Sequence, residues 1–115
     1  MTLWKKARQL KIELKILTQS FPQDEKYRLT NQIVRASRGV GACIAEGHGR
    51  FSYKDQIHFC ILARGSLSEI FNHLIDAYDE ELIIKAQLDE FNNKIIEVQK
   101  YLNGYITWLR KQITK

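Results

Sequence analysis

RASRGVGACIAEGHGR, residues 35–50, is the stretch on which the reading of this chain turns. Between Gly39 and Gly47 almost every side chain is small, and Val40, Ile44 and Glu46 are the large exceptions. Small residues on several faces let neighbouring helices approach from several directions, as the buried part of a helical bundle requires. One carboxylate, Glu46, stands among them, flanked by Arg35, Arg38 and Arg50.

Composition agrees with a helical reading. A single proline and six glycines in 115 residues leave few breakers, which favours long helices over strands and turns. That length suits one domain, residues 1–115, with a core of its own. Hydrophobic residues at 44% beside 27% charged residues describe a globular chain. Met1-Thr2-Leu3-Trp4-Lys5-Lys6 lacks the apolar stretch of a signal peptide, and no apolar run has membrane-spanning length, so a cytoplasmic protein is expected. Cys43 and Cys60 lack CxxC spacing and read as reduced core thiols.

Outward from the small-residue stretch, four amphipathic segments follow. Leu3, Ala7, Leu10, Leu14, Leu17 and Phe21 make one apolar stripe on a first helix, over about residues 3–19, which Ser20-Phe21-Pro22 terminates. Asp24 and Glu25 suit the start of a second helix, about 24–46, with Leu29, Ile33, Ala36, Val40 and Ile44 or Cys43 inside. Gly47-His48-Gly49 supplies glycine for a left-handed C-cap. Ser52 and Asp55 resemble a capping box for a third helix, about 52–79. Its stripe reads Ile57, Cys60 or Ile61, Arg64, Leu67, Phe71, Leu74 and Ala77 or Tyr78. Arg64 is the anomaly, because a guanidinium in a seam needs a carboxylate, and Glu46 and Glu69 are the candidates. A fourth helix, about 84–113, carries Leu88, Phe91, Ile95, Val98, Leu102, Tyr105 and Leu109. Trp4, Tyr101 and Trp108 fall beside their stripes and either cover the core or face a second subunit.

The fold class is therefore all-α, an up-down-up-down antiparallel four-helix bundle. This topology sorts the charges. Lys5, Lys6, Arg8, His48, Arg50, Lys54, Arg110, Lys111 and Lys115 converge on one pole. Asp24, Glu25, Asp76, Asp79, Glu80, Glu81, Asp89 and Glu90 gather at the other. With a net charge of +5 and a pI near 9.3, the basic pole fits phosphates, whereas its bland reading is a solvated end that aids solubility.

Little points to catalysis. Glu-x-x-His pairs, HExxH, the P-loop and dinucleotide fingerprints are all missing. Glu69 and His73 lie four apart on one helical face, and a surface ion pair explains them more simply than a metal. Neither cysteine has an activating partner, and His58 reads as a boundary residue. No cofactor is implied, and the chain reads as a non-enzyme. The expected site is a set of phosphate contacts, Lys5, Arg8, Arg50, Lys54, Arg110 and Lys111, with Arg64 and Glu46 or Glu69 as a structural ion pair. The small residues and the off-stripe aromatics also favour self-association.

Phe21-Pro22, Glu25-Lys26-Tyr27-x-Leu29, Gln32-Ile33, Arg35-Ala36, Ile44-Ala45-Glu46-Gly47, Arg50 and Ala63-Arg64-Gly65-Ser66-Leu67-x-Glu69 together resemble the four-helix bundle proteins encoded in intervening sequences of 23S ribosomal RNA genes. That family, long mislabelled as ribosomal, is similar to the accessory variability determinant of diversity-generating retroelements, a basic pentameric bundle that binds nucleic acid and a reverse transcriptase. The resemblance covers nearly the whole chain. It implies a homopentamer, RNA or DNA binding and, as the alternative, an assembly module whose basic pole meets a reverse transcriptase or another acidic protein. Where members commonly carry a proline and an asparagine before Ile-Ala-Glu-Gly, this chain has Gly41 and Cys43. Gly41 permits a bend there without enforcing it.

Overall fold

Burial of one stripe per helix organises the molecule. The computed structural model describes residues 1–114, apart from the side chains of Lys26 and Tyr27. Helix α1 (Thr2–Thr18) buries Leu3, Ala7, Leu10, Leu14 and Leu17. Ser20 Oγ donates to the Leu17 carbonyl at 2.8 Å as the helix ends, and Phe21 folds back into the core. Helix α2 (Asn31–His48) buries Ile33, Ala36, Val40 and Ile44, and α3 (Tyr53–Asp79) runs back beside it. Helix α4 (Lys85–Ile113) closes the bundle, packing on α3 and on α1. The four antiparallel helices form a body 51 × 24 × 19 Å across.

Several expectations change in detail. The helix expected to open at Asp24 arrives in three registers: a 3₁₀ turn at Gln23–Glu25, a π-helical turn at Lys26–Thr30, then α2. Glu25 is buried there and accepts a hydrogen bond from Arg28 Nη2 at 2.9 Å. Apolar spacing alone misses this junction, because Leu29 and Ile33 are four apart in either register.

The left-handed C-cap expected at Gly47–Gly49 is absent. Helix α2 runs on to His48, and Gly49 is right-handed with φ −81°. Gly47 serves packing instead. A Cβ on it would lie 2.8 Å from Phe59 Cβ, so only glycine lets α2 and α3 approach this closely. Among the described residues the left-handed one is Glu81 (φ 62°), in the turn where the Leu82 N–H donates to the Ala77 carbonyl at 2.9 Å. At the α3 start, Ser52 Oγ accepts from the Asp55 N–H at 3.0 Å, the expected cap.

The stripe of α3 is rotated from the expected one. Ala63 and Ile70 are fully buried, while Arg64 and Phe71 are only half-buried. Small Ala63 occupies the core position and turns the guanidinium to the boundary. On α4, Ile106 takes the interior position expected of Tyr105, whose hydroxyl donates to Gln56 Oε1 at 3.0 Å.

Candidate nucleic-acid interface

The proposed ion pair of Arg64 with Glu46 or Glu69 does not form. Arg64 Nη1 donates to Asn103 Oδ1 of α4 at 3.3 Å. Glu46 binds Arg50 Nη2 at 2.6 Å, just past the end of its own helix, and Glu69 faces His73 Nε2 at 3.4 Å. Arg64 is half-exposed, so its charge keeps water and needs no buried counter-ion.

Helix lengths decide where the six candidate phosphate contacts go. Lys6 Nζ meets Glu97 Oε1 at 2.5 Å, which aligns the start of α1 with that level of α4. Arg110 lies thirteen residues beyond Glu97, about 20 Å further at ordinary helical rise. Trp4 Nε1 lies 3.8 Å from where a Cβ would sit on Gly41, and α2 continues seven residues, about 10 Å, past that point. The end of the bundle is therefore built from three elements: the last turn of α2 with its loop, the first turns of α3 and the last turns of α4. Arg50, Lys54, Arg110 and Lys111 occupy this tip, whereas Lys5 and Arg8 lie set back along the side. They also diverge. Lys5 lines a groove between α1 and α4 with Lys6, Glu13 and Lys94, and Arg8 lines another between α1 and α2.

The tip cations differ in availability. Arg50 is held by Glu46 and packs over the Phe59 ring, 4.9 Å from its centroid. Lys54, Arg110 and Lys111 make no ion pair among the described residues. Lys115 lies outside the described residues. Exposed aromatics stand beside these cations. Trp108 is 50% exposed, meets Tyr53 edge-on at 6.3 Å and stacks on Tyr105 at 6.1 Å between centroids, and Phe51 in the loop is fully exposed.

A second basic surface was not anticipated. Arg8, Lys11 and Arg38 rim the groove between α1 and α2, whose walls include Trp4, Gly41, Ala42 and Ala45. Arg35 and Arg38 continue along α2 with Asn31 and Gln32. All four cations fall off the apolar stripes, which was the one signal for them in the sequence. Only packing of α1 on α2 juxtaposes them.

The remaining titratable groups behave as structural elements. Burial pushes the Cys60 thiol up to about 11 and raises that of Cys43, which keeps both protonated and weakly nucleophilic near neutrality. Burial also raises the Tyr105 hydroxyl. A hydrogen bond from Lys94 of α4 lowers the Glu13 carboxyl of α1, and Lys94 is raised in turn. Among the described residues no three His, Cys, Asp or Glu side chains converge as a metal ion would require, and no helix is long and apolar enough to cross a membrane.

Architecture and surface thus define a small all-α protein of antiparallel bundle class with a basic, aromatic end. The chain belongs to the 23S rRNA-intervening sequence protein family, whose family model matches residues 1–104. The crystal structure of a protein with unknown function from the S23 ribosomal protein family of Bacteroides thetaiotaomicron has the same fold. It superposes with a TM-score of 0.82 at 24% identity, over 90% of this chain and 97% of that one. Comparison with curated proteins yields no match.

Proposed function

We propose that this protein is a non-catalytic, self-associating bundle that binds RNA or DNA through its basic end. The observation that carries the reading is charge placement. Lys54, Arg110 and Lys111 lie together at the tip without ion-pair partners among the described residues, while Asp76, Asp79 and Glu80 lie at the opposite end of α3. Such a distribution attracts a polyanion and orients it toward one pole. Among the six contacts expected from the sequence, these three carry the proposal. Arg50 is already neutralised by Glu46, and Lys5 and Arg8 lie on flanking grooves.

Titration of a structured RNA at several salt concentrations tests this. Binding is expected at low salt and weakens as salt rises. Replacing Lys54, Arg110 and Lys111 by glutamine makes the dependence of log affinity on log salt shallower by about two to three. Absence of binding at low salt, or an unchanged slope in the triple variant, overturns the reading. Retention of an acidic protein such as a reverse transcriptase by a chain with no RNA affinity would instead favour the protein-interaction alternative.

Self-association has its own support in the groove between α1 and α2. Ala42 and Ala45 are exposed there and Trp4 is 38% exposed, a shallow apolar strip that a second copy would cover. The homopentamer implied by the family resemblance is the assembly we propose.

A further inference from the structure

Nucleic-acid binding by charge would suit duplexes and single strands alike, but the tip carries a feature that a duplex cannot use. Tyr101, Tyr105, Trp108 and Lys111 follow one another at three- and four-residue spacing along one flank of α4. Tyr101 is 44% and Trp108 50% exposed, although both belong to a well-packed helix. Between them sits Gly104, where an added Cβ would meet nothing within 4 Å. Glycine in an exposed helix interior is unfavourable relative to alanine, so this gap has no evident structural reason.

Helix α1 covers α4 only as far as its own first turn, leaving the end of this flank open. Tyr53 of α3 extends it from the far side, in edge contact with Trp108. Cations frame it at both ends. Lys6 lies over the Tyr101 ring, 5.1 Å from its centroid, and lines a groove with Lys5. Lys54 follows Tyr53 in the first turn of α3, and Lys111 lies three residues beyond Trp108 on α4. The carboxylates at this end are Glu97, bound to Lys6, Glu46, bound to Arg50, and Asp55 in the first turn of α3.

We infer that this flank of α4 is a stacking platform for the unpaired bases of a single-stranded nucleic acid, with one base seated over Gly104 between Tyr101 and Trp108. The inference rests on the nucleic-acid reading above and specifies its ligand. Exposed rings offer π-faces that any base can use, and lysines beside them track the phosphates. A protein partner fits less well, because lysine is depleted from protein interfaces relative to the rest of the surface. Bases of a duplex are already stacked on each other, so the platform distinguishes unpaired strands.

The test uses the full chain carrying Trp4→Phe, which leaves Trp108 as the sole tryptophan. A single-stranded oligoadenylate and a duplex of equal length are titrated at low salt, following both tryptophan emission and the anisotropy of a labelled strand. The single strand is expected to quench Trp108 and to bind about tenfold or more tighter than the duplex. Trp108→Ala should remove that advantage while leaving duplex affinity unchanged. Gly104→Leu, which fills the gap with a good helix former, should weaken single-strand binding about tenfold without loss of helicity. Equal binding of both ligands with no quenching overturns the platform and leaves the charge-based reading intact. No binding of either ligand overturns both.

Discussion

At Gly47 one missing methyl group sets the distance between two helices. Its Cβ would fall 2.8 Å from Phe59 Cβ and 3.4 Å from the Gln56 carbonyl, on the wall of α3 rather than on a flexible tip. Gly47→Ala is therefore expected to destabilise the fold by about 1–3 kcal/mol, the ordinary cost of overpacking. Gly104 is the control, since nothing lies within 4 Å of its would-be Cβ. Gly104→Ala should stabilise by up to about 1 kcal/mol. Urea denaturation midpoints distinguish the two, and a stable Gly47→Ala variant would show that α2 and α3 can separate freely at this level. Both residues are simply glycine in the sequence. Their opposite roles depend on what stands across from them, and Phe59 is one such neighbour. Arg64 teaches the same lesson: its anomaly was visible, but its partner Asn103 lies 39 positions away and carries no charge to advertise the contact.

Among elements, α1 packs more lightly on α4 than on α2, and the Lys94–Glu13 and Lys6–Glu97 ion pairs support that contact. Lys94 holds the Glu13 carboxyl below the ordinary value of 4.5, so the Lys94–Glu13 pair stabilises the fold above that pH. The contribution is lost as pH falls through the lowered folded value, because the unfolded chain takes up the proton first. Both side chains are about a third exposed or less, at 27% for Glu13 and 33% for Lys94. Glu13→Gln is therefore expected to cost about 0.5–1 kcal/mol near neutrality. It should also flatten the decline in stability as pH falls below about 4.5, which thermal melts at a series of acidic pH values would record. An equally steep decline in the variant would assign acid sensitivity to other carboxylates. The helices themselves were readable from apolar spacing, and Leu3 through Leu17 on α1 lie inside as expected. The phase of α3 was less readable, because small Ala63 competes poorly with neighbouring larger residues in any hydrophobic count, yet the interior of a close-packed bundle selects it.

Across the whole molecule, charge and shape are unevenly distributed over a 51 Å long body. One end carries Lys54, Arg110 and Lys111, and one flank exposes Trp4, Ala42 and Ala45. If copies associate through that flank, light scattering should return several times the 13.5 kDa of one chain, and five times for the pentamer. Ala42→Glu, which sets a charge into the strip, should lower the mass without reducing helicity. A single-chain mass for the unmodified protein would overturn self-association. Assembly bears on binding too, since basic ends gathered on one face add their fields.

Fold class followed from the chain alone. Four apolar stripes of helical period, joined by short connections around one proline, leave an antiparallel bundle as the arrangement that buries them all. The gathering of basic residues near one pole was likewise legible, because topology alone assigns helix ends. Three-dimensional packing decided the rest. It divided the six expected phosphate contacts between a tip and two flanking grooves, because α1 starts well below the end of α4. It neutralised Arg50 through Glu46 and assembled Tyr53, Tyr105 and Trp108 from two helices into one exposed surface. Local periodicity reports which side of a helix is buried. Relative axial positions and neighbours across an interface arise only when whole helices slide to their best packing, and those determine which charges meet a partner.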